Sequence, residues 1–363
     1  MSAVAIVGGC GRIGQQVARD LVAHASIDVV VTGRAEPPSL GPHQIFARLD
    51  LNDRATLHRA IAECDLVVHC AGPFHDRDGR VLEACIERGI HYLDVSDHRS
   101  FARRVLPWHE RAVAAGVTAI LHTGVFPGIS NCIARQGVEQ FERVEEIRLD
   151  YAVAGSGGAG PTVMRTTFLG LQRAFDAWLD GRWQSVLPFS DRETVRFPPP
   201  FGRVGVYWFD VAETESLAQT FTVDRVITKF GSVPDLYNRL TWAVARLVPS
   251  RWLEHPAAVE FLARTSKQMT DFSDRFSGIG IAMGVTVTGI RDGHPARYRA
   301  TFTHDNTAVA AGCGTGSLAE AVLDGRLRKP GIWTPEAAVP TKLFQALMTQ
   351  RDLAIASEIA PLN

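Results

Sequence analysis

The 363-residue chain contains no run of 18 uncharged apolar residues, and none of its segments is predicted to span a membrane. The nearest candidate, residues 276–290, is glycine-rich and alternates Val285 with Val287, the pattern of a buried strand. A formal net charge of −1 gives no basic surface for a nucleic acid. The only lysines are Lys229, Lys267, Lys329 and Lys342, so arginine carries nearly all the positive charge. The six cysteines show no C-x-x-C spacing and no secretory leader precedes the first strand; both point to reduced thiols in the cytoplasm. The histidines lack metal-type spacing and no metal is expected. No tyrosine has a lysine four residues on, and no G-x-S-x-G elbow occurs, which excludes two common catalytic arrangements.

What is present begins at Val4. The run V-A-I-V ends in Gly8 and Gly9, Gly11 and Gly14 follow, and Ile13, Val17 and Leu21 then fall on one helix face. Strand, glycine turn and helix at this spacing form a dinucleotide-binding turn. Glycines let the backbone approach a pyrophosphate, and the amides around Arg12 and Ile13 point at it from the helix start. The second strand, ending at Thr32, leads into Gly33-Arg34. An NAD site places an acid there for the ribose hydroxyl. This strand end has none, and a guanidinium can grip a 2′-phosphate instead, so the expected cofactor is NADP (NADPH) rather than NAD.

Strand candidates 3–7, 28–32, 44–51, 65–70, 91–95 and 118–122 alternate with helices at about 12–24, 53–63, 79–89 and 99–115. This predicts an α/β, doubly wound parallel sheet over residues 1–131. Asp50 and Leu51, closing the third strand, are candidates for the adenine end, with helix capping by Asn52 or Asp53 an equal reading. Residues 132–304 form an α+β substrate and dimerisation domain. It is read as a strand at 144–154, a glycine-rich loop at 155–160, a helix at 161–179, β-rich segments to 227, a helical stretch at 235–262 and a hairpin turning at Asp292-Gly293. Residues 305–363 return to helix, with a capping box at Ser317 and Glu320 and a helix over 342–355.

The segment from Ala71 to Asp97, A-G-P-F-H-D-R-D-G-R-V-L-E-A-C-I-E-R-G-I-H-Y-L-D-V-S-D, resembles the saccharopine dehydrogenase family. So do Gly124-Val-Phe-Pro-Gly-Ile-Ser-Asn131 and Gly331-Ile-Trp-Thr-Pro-Glu336, in the same order. The resemblance implies a Rossmann domain with an inserted α+β domain, a C-terminal segment that packs back on the first domain, and NAD or NADP as cofactor. It also implies a substrate that is a secondary amine formed or cleaved through an imine; one branch resembles enoyl reductases. The chain departs from saccharopine enzymes proper in having few lysines for a tricarboxylate substrate. Its inserted domain is instead rich in aromatics: Phe168, Phe175, Trp178, Tyr207, Trp208, Trp242, Trp252 and Phe261.

In an open α/β sheet, ligands meet the carboxyl ends of the strands. That selects Ala71, Gly72, Pro73 and Ser96 for the cofactor, and Phe74, His75 and the Thr123–Phe126 turn beside it. Asp97 and His98 are the expected acid–base pair, with an N-cap for the following helix as the competing role. Phe74 and Phe126, with Gly157 and Gly158 of the glycine loop and Arg165, are expected to hold the substrate between the domains, an anionic group lying on the loop amides. The expected activity is NADP-dependent reduction of an imine, or oxidation of the amine, by a homodimer. The alternatives are a C=C or C=O reductase of a hydrophobic or acyl-linked substrate and a non-catalytic NADP-binding sensor.

Overall fold

The computed structural model describes residues 3–25, 27–157, 161–171, 173–249, 252 and 255–362. The chain divides into two compact units, Met1–Cys132 with Ala308–Leu353, and Ile133–Thr307 with Ala354–Asn363.

In the first unit, short runs form β1 (Ala3–Val7), β2 (Asp28–Gly33), β3 (Gln44–Arg48), β4 (Leu66–His69), β5 (His91–Asp94) and β6 (Thr118–Ile120). With the strand Gly331–Trp333 they make a seven-stranded sheet in the order Gly331–Trp333, β6, β5, β4, β1, β2, β3, every pairing parallel. Val4, Ala5, Ile6, Leu66, Val67 and Val68 are fully buried, as strands covered on both faces must be. The order reverses at β1, which lies between β4 and β2 and so opens a crevice at the carboxyl ends there. Helices α1 (Arg12–Ala25), α2 (Arg54–Ala60), α3 (Arg80–Arg88), α4 (Arg99–Val105) and α5 (His109–Ala114) fill the connections. Asp53 caps α2, accepting from the amides of Ala55 and Thr56, and Gly89, at φ +70°, ends α3.

The segment returning to this unit is anchored on α1. Arg351 is bidentate to Asp20 and also reaches Glu320, and all three side chains are buried or nearly so. Removing one partner would leave a buried charge uncompensated. Ser317 lies inside the helix Thr307–Leu323, not at its start, and its hydroxyl donates to the Gly314 carbonyl, so the expected capping box does not form.

The second unit is built on a mixed sheet. Its long strand β7 (Arg143–Ala154) comes first in the chain. β8 (Phe175–Leu179), β9 (Arg182–Val186), β10 (Glu193–Arg196), β11 (Arg203–Trp208) and β12 (Arg225–Val233) follow, then the hairpin β13 (Gly280–Arg291) and β14 (His294–His304). β7 pairs in parallel with β12 and antiparallel with β13. The expected helix over 161–179 stops at Leu169, and Phe175–Val186 is a hairpin instead. Its turn is Asp180-Gly181, both at positive φ, which joins two strands with a two-residue loop. The helical stretch from 235 carries, among the described residues, the helices Asp235–Leu247 and Pro256–Ser277, and Pro249 lies after the first of them. The tail differs as well. The expected helix over 342–355 ends at Gln350, and Ile355–Pro361 pairs with β14, covering an edge of the second sheet. Phe168, Phe175, Tyr207 and Trp208 are core, whereas Trp242, Trp252 and Phe261 are exposed. Among the described residues no helix is long and apolar enough to cross a membrane.

Candidate functional site

The turn after β1 is fixed by its own backbone. The Gly9 amide donates to the Ile6 carbonyl at 3.0 Å and the Gly11 amide to the Gly8 carbonyl at 2.9 Å. Gly8 stands at φ +79°, and a Cβ there would meet Ala71 at 2.9 Å. At Gly14 a Cβ would lie 2.5 Å from the Gly8 carbonyl oxygen, so this glycine lets α1 sit against the turn. Gly11 differs: its Cβ would meet only that same oxygen, at 3.1 Å. The space beside Gly11 is therefore open on the side a ligand would use. The first amides of α1, including that of Ile13, have no acceptor within the helix, and Arg12 opens it. A pyrophosphate fits this donor set.

Gly33 packs against Cys10, whose sulfur a Cβ would meet at 2.7 Å, which holds the end of β2 beside the turn. Arg34 follows, exposed, and no carboxylate pairs with it among the described residues. Asp50 folds back on its own loop, accepting from the Asn52 amide at 3.0 Å, and the Leu51 carbonyl accepts from Arg80. These contacts shape the edge near β3.

The ends of β5 and β6 hold a buried polar cluster. Asp94 Oδ1 accepts from the Ser96 amide at 2.9 Å, the Ser96 hydroxyl at 2.5 Å and the His122 amide at 2.9 Å. His122 Nδ1 lies 2.8 Å from the Ser96 carbonyl oxygen. A carbonyl only accepts, so Nδ1 carries the hydrogen and Nε2 the lone pair. His122 Nε2 and Asp94 Oδ2 are both buried and find no partner among the described residues. Burial raises the Asp94 carboxyl above its ordinary range, and His122 opposes the shift. Ser96, expected to touch the cofactor, is fully buried and spent on this network. Phe74, expected on the substrate, is core as well, edge-on to His69 at 4.9 Å and to Phe101 at 5.2 Å. Phe126 is half-buried in the turn after β6, where Gly124 and Gly128 bridge. Arg77, which the sequence reading passed over, holds the Ala71 and Gly72 carbonyls beside Pro73, at 2.8 and 3.2 Å.

Of the expected acid–base pair, His98 is the N-cap of α4. The Ser100 amide donates to its Nδ1 at 3.2 Å, and the Ser100 hydroxyl lies 2.8 Å from the same nitrogen. Burial, with the charges of His75 and Arg99, pushes its pKa down to about 4, so the ring is neutral and tied to the helix start. Asp97 lies half-buried beside it. The more accessible imidazole is His75, just past β4, with Nδ1 2.8 Å from Asp76 and its ring 4.8 Å from that of His98.

The low His98 pKa has a consequence for stability, as does that of His69, which burial holds near 3. Each folded pKa lies below the unfolded value, so unfolding takes up protons below about pH 6.5 and stability falls as pH drops toward the folded pKa. His98→Asn, which keeps a capping acceptor, should remove one proton from this uptake. Its urea-derived stability should fall less steeply than that of the parent between pH 6.5 and 4, by about 1.4 kcal/mol per pH unit. Parallel curves would contradict the assignment.

In the second unit, the described part of the glycine loop offers no open amide. The Gly155 amide donates to the Val233 carbonyl at 3.0 Å, that of Ser156 to Asp274 at 2.7 Å and that of Gly157 to the Ala154 carbonyl at 2.9 Å. The described amides of the expected anion cradle are thus taken by Val233, Asp274 and Ala154; Gly158 lies outside the described residues. Arg165 is bidentate to Glu260, at 2.6 and 3.1 Å, and is not a free cation for a substrate. Among the described residues no cluster of His, Cys, Asp or Glu could hold a metal ion.

Residues 4–120 match the family model described as the saccharopine dehydrogenase NADP binding domain. A probable mitochondrial saccharopine dehydrogenase-like oxidoreductase of Arabidopsis thaliana is 34% identical over 68 residues, 18% of this chain and 15% of its own. The carboxynorspermidine synthase of Vibrio alginolyticus is 25% identical over 262 residues, 67% of this chain and 62% of its own. The chain thus spans less than two thirds of the length of these curated relatives. Among solved structures, apo saccharopine dehydrogenase (L-Glu forming) from Saccharomyces cerevisiae has the same fold, with a TM-score of 0.73 at 15% identity over 99% of this chain and 100% of that one.

Proposed function

We propose that the chain, whose residues 4–120 match the saccharopine dehydrogenase NADP binding domain, is an NADP-dependent oxidoreductase that reduces an imine or oxidises the corresponding amine. The carrying observation is the glycine turn on α1 with an unpaired Arg34 at the end of β2, where an NAD site would place an acid. The likeness to carboxynorspermidine synthase supports the amine chemistry, because it covers more residues than the first unit holds.

Reducing an imine adds a hydride to carbon and a proton to nitrogen. NADPH, when bound, would supply the hydride. The chain must position the two reactants and handle the proton. We assign the proton to His75. Asp76 accepts from Nδ1–H, which leaves Nε2 as the transferring atom on an accessible ring. Asp97 stays in the proposal as a carboxylate on the same edge. The buried Asp94–Ser96–His122 network braces the ends of β5 and β6 beneath it.

The rival reading, a reductase of hydrophobic C=C or C=O substrates, keeps only Trp242, Trp252 and Phe261 exposed among the aromatics that suggested it, since Phe168, Phe175, Tyr207 and Trp208 lie in the core. A turnover panel of amines, cyclic imines, ketones and enoyl thioesters with NADP(H) decides. Turnover confined to amines or imines is expected. Turnover confined to ketones or thioesters, or tight NADPH binding with no turnover, would sink the proposal.

A further inference from the structure

We propose that the first unit holds a second, anion-binding site at the edge of its sheet opposite the glycine turn, where Arg88, Arg328 and His91 take a phosphate or carboxylate group of a small metabolite. The site is independent of the oxidoreductase reading.

The strands of this sheet are parallel, so the edge where β4 and β5 begin lies away from the one where β1 runs into the glycine turn. At that edge is a cavity of about 550 Å³, lined among others by Cys64, Asp65, Arg88, His91 and Arg328. Its volume is in the range of small-molecule sites.

The contact between His91 and Arg328 lacks an acceptor. The Thr118 amide donates to His91 Nδ1 at 3.1 Å, which makes Nδ1 the lone pair. Burial and the neighbouring Arg328 lower the pKa of the ring, so it is neutral and its hydrogen is on Nε2. Arg328 contacts that same Nε2. A guanidinium only donates, so two donors face each other with no acceptor between them. The other tautomer moves the conflict onto the buried Thr118 amide, where an unmet donor costs more. An acceptor from outside resolves it by taking a hydrogen bond from each.

Charge decides what that acceptor is. No carboxylate pairs with Arg88 or Arg328 among the described residues, and Arg88 Nε meets only His58, at 3.2 Å. Asp65 is the one carboxylate lining the cavity, and it accepts from the Ala3 amide at 3.1 Å. Two guanidinium groups therefore stand against one carboxylate already in use. Water would satisfy the hydrogen bonds but leave the charge; an oxyanion does both.

The test is calorimetry on the full chain with inorganic phosphate, then with succinate, at fixed ionic strength. Wild type should show one saturable site that persists in Arg34→Ala. Arg328→Ala and Arg88→Ala should each weaken phosphate binding by about tenfold or more. Both residues are exposed, and an unchanged circular dichroism spectrum confirms folding of the variants. NADPH binding should be unaffected by either change. Tighter phosphate than succinate identifies a phosphorylated ligand, and the reverse a carboxylate. No saturable binding, binding unchanged in both arginine variants, or binding lost in Arg34→Ala would overturn the proposal.

Discussion

Gly11→Val is expected to lower NADPH affinity by about a hundredfold or more while the chain stays folded. The turn can accept a Cβ at this position, whose nearest neighbour, the Gly8 carbonyl oxygen, lies 3.1 Å away and need yield only a few tenths of an ångström. The two methyl groups would then stand where a pyrophosphate must approach the backbone. Gly14 is the control. Its Cβ would fall 2.5 Å from the Gly8 oxygen and 2.7 Å from the Gly9 Cα, so Gly14→Ala should cost stability before it costs binding. Fluorescence titration of NADPH, with circular dichroism on the same samples, separates the two. Normal NADPH binding by a folded Gly11→Val chain would move the phosphate site elsewhere.

His75→Asn should reduce kcat by roughly 10²–10⁴-fold with little change in KM, because a positioned acid–base group acts in the transition state. The limb of the pH–rate profile that reports this imidazole should vanish with it. His98→Asn should leave kcat within a few fold, since the His98 imidazole serves the start of α4. A large loss in His98→Asn and none in His75→Asn would reverse the assignment and restore the pair expected from sequence.

Local signals made the first unit legible. Each apolar run there is short and bounded by turn residues, and the glycine spacing states its own purpose. Legibility fell where an outcome depended on contacts distant in sequence. The Asp94–Ser96–His122 network joins residues up to 28 apart, and nothing local marks His122 as a partner of Ser96. Ser96 and Phe74 lie at the carboxyl edge as expected, yet both turn inward, a choice of side-chain direction that spacing does not encode. In the second unit, the Asp180-Gly181 turn is a local hairpin signal between Phe175–Leu179 and Arg182–Val186, and the helical spacing that precedes it masks it. The fate of the glycine loop was not readable, because Asp274, which takes the Ser156 amide, is 118 residues away. The same holds for Arg165 and Glu260, 95 residues apart.

We propose that the first unit selects NADP through Arg34. Calorimetric titration of wild type and Arg34→Ala with NADPH and NADH tests it most directly. A charge-assisted bond to a phosphate is worth about 1.5–3 kcal/mol. The variant should therefore bind NADPH roughly ten- to a hundredfold more weakly and NADH almost as before. Equal losses for the two cofactors, or a wild type that prefers NADH, would contradict it.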